Sequence, residues 1–345
     1  MLQLGPPVAR LKTHIQRLSE TRGIAVGEDG VFLTTGAQQA LDLVCRLLLS
    51  PGDLVYADRF TYPGMAAAVR SAGAVIRAFP TRADGGLDFA ALRGACIERK
   101  PVFFYVMPSA HNPLGISMLA GERAGLLSVA REFGIYVVED DAYGLLSFED
   151  PAPPAMAAGN QDTVIHINSF SKILGPSLRT GWMICPEPLR PYLTNAKNVA
   201  DLSAASLSQW LILAYLDEGW FAAHAARTRS AYRRRCETMA AAIAESLPGA
   251  SSLNPSGGMF LWTQLSGGVD TNALLESAAR HGVMYAPGSI FALDGCGGAD
   301  CMRLNFTHCA EEEIRPAIAR LGLACAEYRR QARLTENSHA HPALV

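Results

Sequence analysis

The chain has 345 residues, of which 49% are hydrophobic and 18% charged, a composition that supplies a large core and excludes extensive disorder. A formal net charge of −2 with no long block of one sign excludes an electrostatic footprint for nucleic acid or an anionic membrane. No apolar run reaches the roughly 18–20 residues that cross a bilayer, and residues 1–14 lack the basic-then-apolar order of a secretory leader, so a cytoplasmic protein is expected.

At about 100–200 residues per domain, this length predicts two domains. Residues 5–25 read as a short helical segment ending at Gly23, with Leu11, Ile15 and Leu18 at helical spacing. From Val31 onward, short apolar runs alternate with amphipathic stretches. The predicted strands are 54–57, 74–79, 102–107, 135–139, 163–167 and 181–185, with predicted helices at 37–49, 63–72, 88–98 and 119–133. Continuous apolar strands separated by helices predict an α/β fold with a mostly parallel sheet covered on both faces. Ligands of such sheets bind beyond the carboxyl ends of the strands. Residues 202–246 read as long and helical, and the Arg-rich stretch 227–235 as a solvated or interface face. A smaller α+β unit follows, with predicted strands 259–263, 283–286 and 302–306 and a closing helix near 310–331. The polar tail 335–345 is expected to be disordered.

Eight cysteines are scattered without a Cys-x-x-Cys pair, and no His stands at zinc-finger spacing from the cluster Cys296, Cys301, Cys309; buried thiols are expected and a metal site is not. Of 30 basic residues only four are Lys, at 12, 100, 172 and 197, and chemistry that needs a neutral amine is limited to them, because Arg keeps its proton. Lys12, Lys100 and Lys197 read as solvated. Lys172 follows a predicted strand in Asn168-Ser169-Phe170-Ser171-Lys172, where partial desolvation lowers an amine's pKa and favours imine chemistry; a structural or phosphate-binding role is equally open from its position.

Four further segments carry candidate chemistry. Thr34-Thr35-Gly36-Ala37-Gln38-Gln39 joins a strand to a helix start, where the free amides of Ala37 and Gln38 face an anion, although a plain strand–turn–helix reads alike. There is neither a P-loop nor a Gly-x-Gly-x-x-Gly motif. Glu139-Asp140-Asp141 places three acids at a strand end, suited to a metal, to a cation partner or to a cap. Ser109-Ala110-His111-Asn112-Pro113 follows another strand, with His111 read as a hydrogen-bonded structural group. Arg179 and Arg303 suit carboxylate or phosphate at a crevice mouth, or ordinary ion pairs.

In order, TTGAQQAL, LLLSPGD, FTYPG, PSAHNPLG, VVEDDAYG, NSFSKILGPSLRTGW, GGMFLW, YAPGSIF and MRLNF resemble the fold-type I pyridoxal-phosphate enzymes, class I/II aminotransferases, in the subgroup of 2-aminoadipate and kynurenine aminotransferases and MocR-like proteins. The resemblance covers about residues 1–330. It implies a mostly parallel seven-stranded sheet flanked by helices, plus a smaller α+β domain. The implied organisation is an N-terminal segment 1–25 packing with the small domain, a cofactor domain 26–225, a small domain 226–333 and a disordered tail 334–345. It implies a homodimer acting on an amino acid and a 2-oxo acid in amino acid metabolism, by a ping-pong mechanism. By resemblance Lys172 forms the aldimine with pyridoxal 5'-phosphate and shuttles the proton, Asp140 pairs with the ring nitrogen, Asn112 and Tyr143 bond the phenolate oxygen, and Tyr62 stacks on the ring. The turn at Gly36, Ala37 and Gln38, with Ser169, Ser171 and Arg179, takes the phosphate, and Arg303, with Asn112, takes the substrate α-carboxylate. Residues 148–159, Phe60 and Trp182 are candidates for the side-chain pocket. Family members carry an arm ahead of the point where this sequence begins, and a Tyr in place of Leu4; both departures bear on closure over substrate. The alternatives on the same scaffold are elimination, replacement, decarboxylation or racemisation, and a sensing module.

Overall fold

The computed structural model describes residues 8–201, 204–295 and 297–340, with 332–340 as helix backbone only. The strands of the larger unit are β1 (Val31–Thr34), β2 (Leu54–Ala57), β3 (Val75–Ala78), β4 (Phe103–Val106), β5 (Tyr136–Asp140), β6 (Val164–Ser169) and β7 (Gly181–Ile184), in the spatial order β1-β7-β6-β5-β4-β2-β3. β7 runs antiparallel to β1 and β6, while β2–β6 are parallel to one another. Every residue of β2, β4, β6 and β7 is buried, because helices cover both faces; β2, β4 and β7 accordingly read as unbroken apolar runs, whereas β6 carries the buried polar residues His166, Asn168 and Ser169.

The covering helices are α1 (Val8–Glu20), α2 (Ala37–Leu48), α3 (Pro63–Ser71), α4 (Phe89–Glu98), α5 (Ala120–Phe133), α6 (Arg190–Asp201), α7 (Ser206–Asp217) and α8 (Trp220–Ser246). α2 buries Ala40, Leu41, Val44 and their neighbours on one stripe, which seats its first turn at the carboxyl edge of the sheet. α6 was not anticipated. The expected single helix over 202–246 is broken into α7 and α8 by Gly219, whose φ of +71° stops α7.

Two expectations are corrected. The N-terminal helix does not pack with the small domain: Leu11 and Ile15 join the core of the large sheet with Val31, and Arg10 and His14 pair with Asp217 of α7. The stripe predicted from the helical spacing is right, and β1 with α7 is the apolar surface it covers. Leu4 lies outside the described residues. The smaller unit has β8 (Ser251–Ser252), β9 (Phe260–Gln264), α9 (Thr271–Arg280), β10 (Ala286–Pro287), β11 (Cys301–Asn305) and α10 (Glu311–Ala340), its sheet ordered β10-β11-β9-β8. α10 continues as helix to Ala340, past residue 334, where a disordered tail was expected; 341–345 lie outside the described residues. Its core joins Leu261, Met302, Phe306, Ile314 and Leu321 to the later turns of α8, whose first turns belong to the larger core.

Candidate active site

The carboxyl edge of the parallel strands opens into a cavity of about 280 Å³. Eleven of the residues singled out from the sequence line it: Ala37, Gln38, Tyr62, Asn112, Asp140, Tyr143, Ser169, Ser171, Lys172, Arg179 and Arg303. Gly36 adjoins it under Arg179. The topology assembles these residues: β1, β4, β5 and β6 end at this edge, and antiparallel β7 begins there.

At one end stands the start of α2. Gly36 has φ +79°, and a Cβ there would lie 2.7 Å from Nη2 of Arg179, so glycine is required on both counts. Arg179 itself has φ +44°, a left-handed turn that directs its guanidinium back toward α2. Its Nη2 donates to the Thr35 carbonyl at 3.3 Å and its Nη1 to Ser171 Oγ at 3.4 Å, while Ser169 Oγ donates to Ser171 Oγ at 2.9 Å. Free amides, two hydroxyls and a guanidinium at a helix start make an anion site. The turn is braced from below by Asp201, whose Oδ2 accepts from Thr35 Oγ1 at 2.9 Å and Gln39 Nε2 at 2.8 Å. Gln39 Oε1 in turn accepts from the Thr35 amide at 2.8 Å. The sequence reading did not find this brace, and Asp201 bears no motif that signals it.

At the other end Asp140 is buried. Burial above all, reinforced by Asp141, pushes its carboxyl up to about 6, against the opposing pull of Tyr105, the Ala142 amide and Lys172. Lys172, partly buried, is held below the ordinary lysine value by burial first and by Arg303 and Arg179 next, with Asp140 opposing. Its Nζ lies 5.8 Å from the centre of the Tyr143 ring. The Tyr62 hydroxyl donates to Gln38 Oε1 at 3.0 Å.

The three successive acids do not converge. Glu139 pairs with His166 at 2.9 Å, Asp141 takes the Arg22 guanidinium at 3.0 and 3.1 Å, and Asp140 alone faces the cavity. Alternation along β5 separates Glu139 from Asp140, so of the readings first open for this run, the cation partner suits the geometry. Among the described residues no cluster of metal-ligating side chains occurs.

Arg303 Nη1 donates to Asn112 Oδ1 at 2.7 Å, and its guanidinium carbon lies 3.9 Å from the Phe260 ring centre and 4.8 Å from that of Phe291. Phe260, Met107 and Ala142 also line the cavity; Phe260 lies within GGMFLW, so the motif was visible while its role was not. Two expected pocket residues lie elsewhere. Trp182 is a core residue packed on Phe170 at 4.9 Å, and Phe60 packs on Trp262 at 5.1 Å. Within the segment 148–159, Glu149, Asp150, Pro151 and Ala152 line a separate cavity of about 200 Å³ with Arg22. His111 is buried, 3.3 Å from Asp58, and accepts from the Leu114 amide at 3.4 Å, a structural arrangement.

The aminotransferase class I and II family model matches residues 6–321. The chain belongs to this family. It is 35% identical over 307 residues to the 2-aminoadipate transaminase of Thermus thermophilus, covering 87% of this chain and 76% of that one. It is 33% identical over 311 residues to aromatic-amino-acid aminotransferase 1 of Thermococcus litoralis, covering 88% and 74%. The crystal structure of the Thermus thermophilus alpha-aminoadipate aminotransferase complexed with N-(5'-phosphopyridoxyl)-L-leucine superposes with a TM-score of 0.86 at 32% identity, covering 96% of this chain and 85% of that one. This aminotransferase is a pyridoxal-phosphate enzyme that transfers amino groups between amino and 2-oxo acids.

The residues fit the cofactor. An anion site, a buried carboxylate lacking a full cationic partner and a partly desolvated amine share one cavity, and Nε of Arg303 is buried without a hydrogen-bond partner.

Proposed function

We propose that this aminotransferase binds its cofactor and substrate through the residues gathered in the one cavity, Lys172 being the reactive group. Pyridoxal phosphate, when bound, supplies the carbonyl that takes the amino group and a ring that accepts electrons. The amides of Ala37 and Gln38, with Ser169, Ser171 and Arg179, hold its phosphate. Asp140 holds the proton on the ring nitrogen, and Asn112 and Tyr143 donate to the phenolate oxygen. Tyr62 packs on the ring. Arg303 takes the substrate α-carboxylate through its guanidinium edge, since Phe260 and Phe291 hold its plane, and this orients the Cα–H bond. Lys172 Nζ, held below its ordinary value, takes that proton from Cα and returns it at the cofactor's C4′. Because both half-reactions use one cavity, an oxo acid leaves before the second enters, which makes the kinetics ping-pong.

The observation that carries this reading is the joint placement of Lys172, Asp140, Arg179 and Arg303 on one cavity wall set. The activities named for its relatives support an L-amino acid donor, with 2-aminoadipate and the aromatic amino acids the first to assay. Two units are assigned, 26–225 for the cofactor and 226–333 contributing Arg303. A homodimer is supported by the exposure of Val199, Leu207, Leu211 and Trp220 over α6, α7 and the start of α8. A reducing, cytoplasmic setting is supported by the seven described cysteines, all unpaired.

The test is the visible absorbance of the purified protein during addition of an amino acid without an oxo acid. The cofactor band is expected to bleach to that of the pyridoxamine form and to return with 2-oxo acid. A persistent band, or release of ammonia with the oxo acid, counts against transamination of that substrate by this site.

A further inference from the structure

We propose that Tyr105, a β4 residue outside the cavity, positions Asp140 and keeps it ionised for the cofactor's ring nitrogen; the inference rests on the role assigned above to Asp140. Tyr105 is fully buried, and its hydroxyl donates to Asp140 Oδ2 at 2.9 Å. β4 and β5 are parallel neighbours with Tyr105 opposite Val138, and Asp140 is the next residue along the same face of β5, so the phenol spans the diagonal. One carboxylate oxygen is thereby tied to a rigid ring within the sheet. Among the described residues the other, Oδ1, accepts from the Ala142 amide alone, at 3.3 Å. The adjacent Phe103 and Phe104 fill the core of β4 without a hydroxyl; the hydroxyl at 105 is spent on Asp140.

The donor also sets the charge. Around Asp140 stand Tyr105 from β4, Tyr62 from the start of α3, Lys172 from the segment after β6, and Asp141 and Tyr143 from its own segment. Burial and Asp141 favour the neutral acid, while Tyr105, the Ala142 amide and Lys172 favour the carboxylate. Deleting the phenolic donor tips this balance toward the neutral form, which has no charge to set against a ring N–H.

The experiment uses the full chain stripped of cofactor, with pyridoxamine 5'-phosphate as the probe and calorimetric affinity measured from about pH 5 to about pH 8. In the parent protein the affinity falls on the acid side, as Asp140 takes up a proton near 6. In Tyr105→Phe this acid limb moves up by roughly one pH unit, the weight of one hydrogen bond to a charged group. Tyr285→Phe, which deletes a buried hydroxyl bond to the Thr271 carbonyl at 2.6 Å in the smaller unit, leaves the limb in place. Asp140→Asn removes the limb. A limb retained in Asp140→Asn overturns the ring-nitrogen assignment and the inference with it. A limb lost in Asp140→Asn but unmoved in Tyr105→Phe, or moved equally in Tyr285→Phe, overturns the inference alone. Should Tyr105→Phe not fold, an ortho-fluorinated tyrosine at 105 decides the matter: it keeps ring and hydroxyl, strengthens the donor and moves the limb down, and an unmoved limb refutes the proposal.

Discussion

Arg303 of β11 donates to Asn112 Oδ1, from the loop after β4, at 2.7 Å, so one hydrogen bond ties the smaller sheet to the larger one across the cavity. The guanidinium lies between Phe260 and Phe291, a contact that a planar fork keeps and an ammonium does not. Arg303→Lys is therefore expected to raise KM for the amino acid roughly tenfold to a hundredfold, with a smaller loss in kcat and an unchanged cofactor spectrum. Steady-state kinetics check this; an unchanged KM places the substrate carboxylate elsewhere.

Lys172 is the one lysine on the cavity, and no other side chain there combines an amine with partial desolvation. Lys172→Ala is expected to retain pyridoxamine phosphate while losing transamination by roughly a thousandfold or more, the usual scale for a removed nucleophile and proton carrier. Mass spectrometry after borohydride treatment gives an independent reading: the cofactor's mass is expected on the Lys172 peptide of the parent protein and on no peptide of the variant.

The sheet was legible because β2, β4 and β7 are buried on both faces and carry no polar interruption, as in Phe103–Val106. Most cavity residues were legible because they stand at or soon after a strand end within a short motif; Arg303, inside β11, was marked by MRLNF alone. What escaped the reading depends on partners far apart in sequence. Tyr105 reads as one more aromatic in an apolar strand until Asp140 is placed beside it, and Asp201 reads as a polar helix end until Thr35 and Gln39 meet it. Trp182 misled in the opposite sense: it was a candidate for the side-chain pocket, but its strand is buried on both faces and the side chain lies in the core. The packing of α1 was beyond periodicity, which specifies an apolar stripe but not the surface it covers.

Behind the cavity, Glu139 and His166 form a buried pair at 2.9 Å, with the Met156 and Ala157 amides also donating to Glu139. Burial opposes both charges, yet the pair's mutual attraction and hydrogen bonding leave Glu139 below its ordinary 4.5 and His166 above its ordinary 6.5. The His166 contribution is complete below about 6.5 and is lost as pH rises through its higher native value; the Glu139 contribution is complete above about 4.5 and is lost as pH falls through its lower native value. Stability from the pair is thus greatest between these limits. Glu139→Gln is expected to cost about 3–5 kcal/mol there by leaving a buried cation unpaired, and to flatten the acid side of the Tm profile. Calorimetric melts across pH check it, and equal Tm values at mildly acidic pH would falsify it.

Asp201 supports the anion-binding turn from outside the cavity, through Thr35 and Gln39, whose side chains meet on its Oδ2. The Gln39 oxygen then fixes the Thr35 amide, and the Thr35 carbonyl receives Arg179, so the brace controls both the direction of the α2 amides and the reach of the guanidinium. Besides its ion pair with Lys197, Asp201→Ala removes two hydrogen bonds to a charged group, those from Thr35 and Gln39. Each is worth about 1.5 kcal/mol or more, part of which the loosened turn recovers through water. The expected result is a loss of roughly tenfold or more in affinity for pyridoxamine phosphate. Pyridoxamine, which lacks the phosphate, separates this from a general loosening of the site: its weaker binding is expected to be equal in the variant and the parent. A matching loss for both ligands in competition binding would assign Asp201 to the packing of α6 rather than to the phosphate turn.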